Sequence, residues 1–124
     1  MSIELSSQRQ YIQRAVNVKH SFSTTTQTTL YTSPNGGSDF NFSVVMGIFA
    51  CDTGNQQTNL DISIVDTSAN EFFLFKQHNI SAHGTEELII NSGLILQDGE
   101  IIKAQVNHAN IDLFLNIIEY ARGD

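Results

Sequence analysis

Basic residues are scarce in this chain of 124 residues: six Lys and Arg stand against 13 Asp and Glu, for a net charge of −7. They form no cluster. Direct nucleic-acid binding and a polybasic membrane patch are therefore not expected. A single cysteine, Cys51, excludes an internal disulfide. It closes an apolar run with no Lys or Arg nearby in sequence to favour a thiolate, so a buried, inert thiol is expected. Tryptophan, which sugar-binding platforms usually favour, is absent. No apolar run approaches the roughly 20 residues of a membrane-spanning helix. The opening MSIELSSQ lacks the charged start and apolar stretch of a signal peptide, so no Sec-type export is expected. Charged residues make up only 15% of the chain and hydrophobic ones 40%, which argues against disorder and for one domain with a real core.

What is present alternates with a period of two. Strands are predicted over 14–22, 28–33, 40–52, 59–66, 71–80, 86–92, 93–108 and 111–121, the seventh broken by a turn at Asp98-Gly99. PNGGSD (34–39) is the strongest turn signal, because Pro34 presets φ and Asn35-Gly36-Gly37 accept positive φ. In 40–52, Phe40, Phe42, Val44, Met46, Ile48 and Ala50 share one face, and Val45, Phe49 and Cys51 the other. The pattern predicts a strand covered on both sides. In 59–66, Leu60, Ile62 and Ile64 point inward and Asp61 and Ser63 outward. About eight short strands with loops of two to six residues predict an all-β fold, an antiparallel β-sandwich of jelly-roll or immunoglobulin-like type. The expected organisation is an N-terminal arm over 1–13 and a sandwich domain over 14–124. The stretch 3–14 is read as a short helix or as an arm that packs on a neighbour.

The chemistry-bearing residues form no catalytic constellation. His78 and His83 stand five apart in a loop without a third metal ligand, so surface histidines are expected. Asp98 and Glu100 belong to a polar hairpin rather than to an apolar pocket that would tune a general acid. Asp61 and Asp66 read as solubilising. Phe72, Phe73 and Phe75 would suit an aromatic platform, but a Phe-rich core explains them more simply. Asn41-Phe42-Ser43 and Asn79-Ile80-Ser81 match a glycosylation acceptor by chance in a chain without an export signal. No nucleophile elbow, HExxH, Walker loop or dinucleotide fingerprint occurs. No catalytic, cofactor or metal residue is therefore assigned, and no enzymatic activity is expected. The tail Arg122-Gly123-Asp124 spells an adhesion tripeptide, and the simpler reading is coincidence at an exposed strand end.

Two segments carry a resemblance. TLYTSPNGGSDFNFSVVMGIFACDTGNQQTNLDISIVDTSANEFFLFK (29–76) places a short strand ending in Tyr-Thr before a Pro/Gly turn, a long strand, a polar loop and a strand of alternating aliphatics. GLILQDGEIIKAQVNHANIDLFLNIIEYA (93–121) places a leucine, turn, Gly-acid, isoleucine step before a strand, an Ala/Asn turn and a final strand ending in Glu. Together they resemble small β-sandwich virion proteins of tailed bacteriophages. The chain departs in having Gly99-Glu100 where Gly-Asp is commoner, and in its extra polar N-terminal arm. The resemblance implies a non-enzymatic assembly protein in the virion: a capsid decoration or cement subunit, or a neck, tail or fibre accessory protein. It implies the major capsid protein or neck and tail proteins as partners, a homo-oligomer, and no cofactor. A carbohydrate-binding module is the competing expectation, with its groove near His78 to His83.

Overall fold

The computed structural model describes residues 11–35 and 40–122. Eight strands occur among them: β1 (Tyr11–Ser21), β2 (Thr28–Thr32), β3 (Phe42–Asp52), β4 (Thr58–Val65), β5 (Glu71–Ile80), β6 (Thr85–Leu96), β7 (Ile101–Val106) and β8 (Ile111–Arg122). They form two four-stranded sheets, β1-β8-β3-β6 (sheet A) and β2-β7-β4-β5 (sheet B). Every pairing is antiparallel, and the first strand pairs with the last, the second with the seventh, the third with the sixth and the fourth with the fifth. A long antiparallel ribbon rolled up in this way is a jelly roll. An immunoglobulin-like sandwich would instead place β1 beside β2, so that alternative is excluded.

The alternation of β8 shows why this sequence makes a sandwich. Ile111, Leu113, Leu115 and Ile117 are buried, while Asp112, Phe114, Asn116 and Ile118 alternate with them. Val45, Ile48 and Ala50 of β3 join them from sheet A. Tyr31, Leu60, Ile62, Ile102, Ala104 and Val106 close the core from sheet B. Each such Leu or Ile contributes about 1.5–3 kcal/mol by leaving water.

Three expectations are corrected. First, β3 does not keep one face along its length. A register shift between Val45 and Gly47 makes Met46 an extra residue, and a second shift in the β6 pairing falls between Ile48 and Phe49. Val45, Ile48 and Ala50 therefore point inward, and Phe42, Val44, Phe49 and Cys51 outward. The strand is covered by the sandwich on one side only. Second, 86–92 and the start of 93–108 are one strand, β6. Gly93 (φ +67°) sits opposite the β3 shift, so it marks a bulge rather than a break. Third, Tyr11–Gln13, assigned to the arm, are already paired in β1 with Arg122, Ala121 and Tyr120, so no helix includes them. The rest of the arm, residues 36–39 of the predicted PNGGSD turn, and Gly123-Asp124 of the adhesion tripeptide lie outside the described residues.

Polar ties close both ends of the sandwich. At one end Glu119 is 5% exposed. Its Oε1 accepts from Arg14 Nε at 2.7 Å, and its Oε2 accepts from Tyr31 Oη at 2.5 Å. Tyr31 belongs to sheet B and Glu119 to sheet A, so this bond crosses the core. Ser33 and Ser43 repeat the crossing at 2.8 Å. Burial, then the bond to Glu119, pushes the Tyr31 phenol well above its ordinary value of 10.0. A pKa raised on folding stabilises the protein below the unfolded value and loses that contribution as pH rises towards the folded one. Stability is therefore expected to fall as pH rises past 10. Urea midpoints across that range should fall less steeply for Tyr31→Phe than for the wild type, and equal slopes would contradict the assignment.

At the other end Asp52 is 1% exposed. Its Oδ1 accepts from Gly54 N at 2.9 Å and from Asn110 Nδ2 at 3.1 Å. Asn110 also donates to Gln56 O at 3.0 Å and accepts from Thr58 Oγ1 at 2.5 Å. The tie locks the β3–β4 and β7–β8 loops to each other. A Cβ on Gly54 would lie 2.6 Å from Asn110 Nδ2, which is why only glycine fits there.

Candidate assembly surface

The two sheets present unlike outer faces. On sheet A the strand register sets the outward side chains in rows across β1, β8, β3 and β6. One row is Ala15, Ile118, Val44 and Ile95. Another is Lys19, Phe114, Phe49 and Glu87. A third is Ser21, Asp112, Cys51 and Thr85. Beyond the aliphatic row, Phe42 and Tyr120 stack at 5.0 Å between ring centroids. Phe49 and Phe114 lie 6.3 Å apart, and Lys19 Nζ stands 5.9 Å from the Phe114 ring. Ile95 is 55% exposed. No described strand lies over this face, since β2 and β5, which touch sheet A, belong to the inner side. A shallow depression of about 430 Å³ opens around Phe49, Phe114 and Cys51, rimmed by Lys19, Thr85 and Asp112.

Sheet B is mostly polar outside, although Phe72 and Phe73 on its edge strand are exposed. The row across β2, β7, β4 and β5 reads Thr29, Lys103, Ser63 and Phe73, with Ser63 only 1% exposed rather than presented to solvent. Glu71 Oε2 accepts from Ser63 Oγ at 2.6 Å and from Gln27 Nε2 at 2.7 Å, and these two bonds, Ser63 first, hold its carboxyl below the usual range. A second depression of about 420 Å³ is lined by Thr25, Asn59, Asp61, Gln77, Gln105, Val106 and Asn107. That lining can hydrogen-bond, yet it contains no aromatic ring on which a sugar would stack.

The residues singled out from sequence are not brought together. His78 Nε2 lies 2.6 Å from Glu86 Oε1, and His83 Nε2 lies 2.7 Å from Asn55 Oδ1. Each histidine thus has its own partner, and among the described residues no group of three metal-ligating side chains converges. Glu100 Oε1 accepts from Gln97 N at 2.8 Å and Gly99 takes φ +73°, so Asp98 and Glu100 build the hairpin turn. Asp61 Oδ1 accepts from Gln77 N at 2.6 Å, and Lys76 Nζ stands 3.6 Å from Asp61 Oδ2. Asp66 caps its turn through the backbone N–H groups of Asn70 and Ser68, which hold its carboxyl low.

Two expectations fail here for physical reasons. Cys51 is not buried: it is half-buried on the outer face of sheet A, because the β3 bulge reverses the facing of everything beyond it. Phe72 and Phe73 are not core residues, being 58% and 44% exposed on the edge strand β5. Lys76 Nζ lies 4.1 Å from the Phe73 ring, and only Phe75 of the three packs against the core. Sequence reasoning also passed over Glu119. Its parity with Ile117 and Ala121 was the available signal, since it places a carboxylate on the buried side.

No family model and no curated protein matches this chain. Solved structures of infectious bursal disease virus are similar to it. A chain of the T13 viral particle is 9% identical with a TM-score of 0.48, over 89% of this chain and 35% of that one. A chain of the Gx strain is 9% identical with a TM-score of 0.47, over 96% and 38%. The VP2 subviral particle gives 9% and 0.38, over 96% and 38%. This chain spans little more than a third of the length of those it matches.

Proposed function

We propose that this chain is a non-enzymatic structural subunit of a virus particle: a capsid decoration or cement protein that stabilises the head of a tailed bacteriophage. The observation that carries the reading is the contrast between the two outer faces. Jelly rolls serve capsids, lectins and cupins alike, so the fold does not choose among them. A lectin or cupin works through a concave site with convergent polar groups. The polar depression on sheet B has no ring for a sugar to stack on, whereas the outer face of sheet A carries Val44, Phe49, Ile95, Phe114 and Ile118, which suits another protein. The resemblance of 29–76 and 93–121 to phage virion proteins supports the particle. The acidic balance suits a subunit that meets the shell and not the packaged nucleic acid. The partner is the major capsid protein. The alternative is a neck, tail or fibre accessory protein at a lower copy number, with carbohydrate binding as a further role.

Purified protein added to heads of the parent phage that lack it tests the reading. Saturable binding in many copies, with genome release shifted several degrees upward on heating, is the expected result. Binding in a single ring's worth of copies moves the protein to the neck or tail. Absence from purified particles, with no binding to heads or tails, overturns the proposal.

A further inference from the structure

We infer that the outer face of sheet A docks a second copy of this chain across a twofold axis that runs parallel to the strands. The inference rests on reading that face as an interface, and not on the identity of the particle. Such an axis reverses the strand order from left to right and keeps height along the strands. It therefore sets β1 over β6 of the second copy and β8 over its β3. Each row then meets itself in reverse.

The consequences are chemical. Lys19 on β1 meets Glu87 on β6, and both side chains are exposed in the single chain. Phe114 meets Phe49 and enters the depression beside it. Ile118 meets Val44. Ile95, 55% exposed, meets Ala15, the smallest side chain of its row. Lys19 is matched to Glu87, and bulk to space, by a single operation, while Asp112 meets Cys51 and keeps the bond that Ser21 Oγ donates to it at 2.6 Å. The other in-plane axis, perpendicular to the strands, inverts height instead. It would set Lys19 against Ala15 and Glu87 against Ile95, burying two charges without partners.

Area supports the same occupant. Four strands at their usual spacing and about ten residues of length give roughly 600 Å² per copy, hence roughly 1,200 Å² for the pair. That reaches the lower bound of stable interfaces. An isologous contact of this kind closes on itself and leaves sheet B free.

The test uses Lys19→Glu and Glu87→Lys in the full chain, with sedimentation velocity as the readout. Both positions are exposed, and equal thermal midpoints at concentrations low enough for all three to be monomeric verify the fold. The wild type is expected to dimerise. Each variant alone should weaken its dimer about tenfold or more, because both symmetric contacts become like-charged. An equimolar mixture of the two variants should recover association to within about threefold of the wild type, because every contact then joins opposite charges. A monomeric wild type overturns the inference, as does a dimer indifferent to both variants or one that mixing does not restore. A monomer that still binds heads through this face would leave the proposed function standing and remove only the second copy.

Discussion

Arg14→Ala is expected to cost about 3 kcal/mol of stability, more than Glu119→Ala at the other end of the same bond. The reason is an asymmetry of burial. The Glu119 side chain is 7% exposed, whereas the Arg14 side chain is 58% exposed. Removing Arg14 leaves a buried carboxylate that accepts from the Tyr31 hydroxyl without its cationic partner, and it takes the guanidinium from the Phe40 ring, 4.0 Å away. Removing Glu119 releases Arg14 to water and strands only the Tyr31 hydroxyl, at about 2 kcal/mol. The double variant should cost about as much as Glu119→Ala alone. Urea unfolding of the three variants checks this. If Arg14→Ala proved the milder change, the bond would behave as an ordinary surface pair, and Glu119 would not pin the sheets together.

Asn110→Ala is expected to cost about 2–4 kcal/mol, although it removes only a small side chain from a loop. Its amide holds Asp52, Thr58 and Gln56 together. Asp52 Oδ2 has no hydrogen-bond partner among the described residues, so the carboxylate has little to spare. Asn110→Asp keeps the shape and adds a second acid 3 Å-scale from the first, as the 3.1 Å contact shows. Two such carboxyls disfavour double ionisation, which raises a folded-state pKa, so the variant's deficit should grow as pH rises. The urea midpoint of Asn110→Asp at pH 5 should therefore lie closer to the wild type than at pH 7. An equal deficit at both would mean that the Asp52 to Asn110 contact is not felt.

The fold was legible where alternation was undisturbed. In β4, Leu60 and Ile62 are buried as their spacing predicts, and the Asp98-Gly99 turn falls where its residues allow positive φ. Legibility failed at the bulges. An extra residue at Met46 has no side-chain signature, yet it inverts the facing of Phe49 and Cys51. Gly93 looked like a strand end because a glycine with positive φ serves a turn and a bulge equally well. The surface was hidden for a different reason. A strand apolar on both sides reads the same whether its second side is covered by its own chain or by another molecule. Phe49, Phe114 and Ile118 carry that ambiguity, and the arrangement of the two sheets places them on the side away from the core.

Assembly through sheet A requires its outer face to be covered when the protein works. The single cysteine lies on that face, so the rate of Cys51 alkylation under native conditions reads it directly. Alkylation is expected to slow about tenfold or more when the protein passes from dilute solution to its associated or particle-bound state. Labelling of Lys76, beside Phe73 on sheet B, should remain unchanged. An equal Cys51 rate in both states, with Lys76 protected instead, would show that the protein assembles through the other sheet and would contradict the central claim.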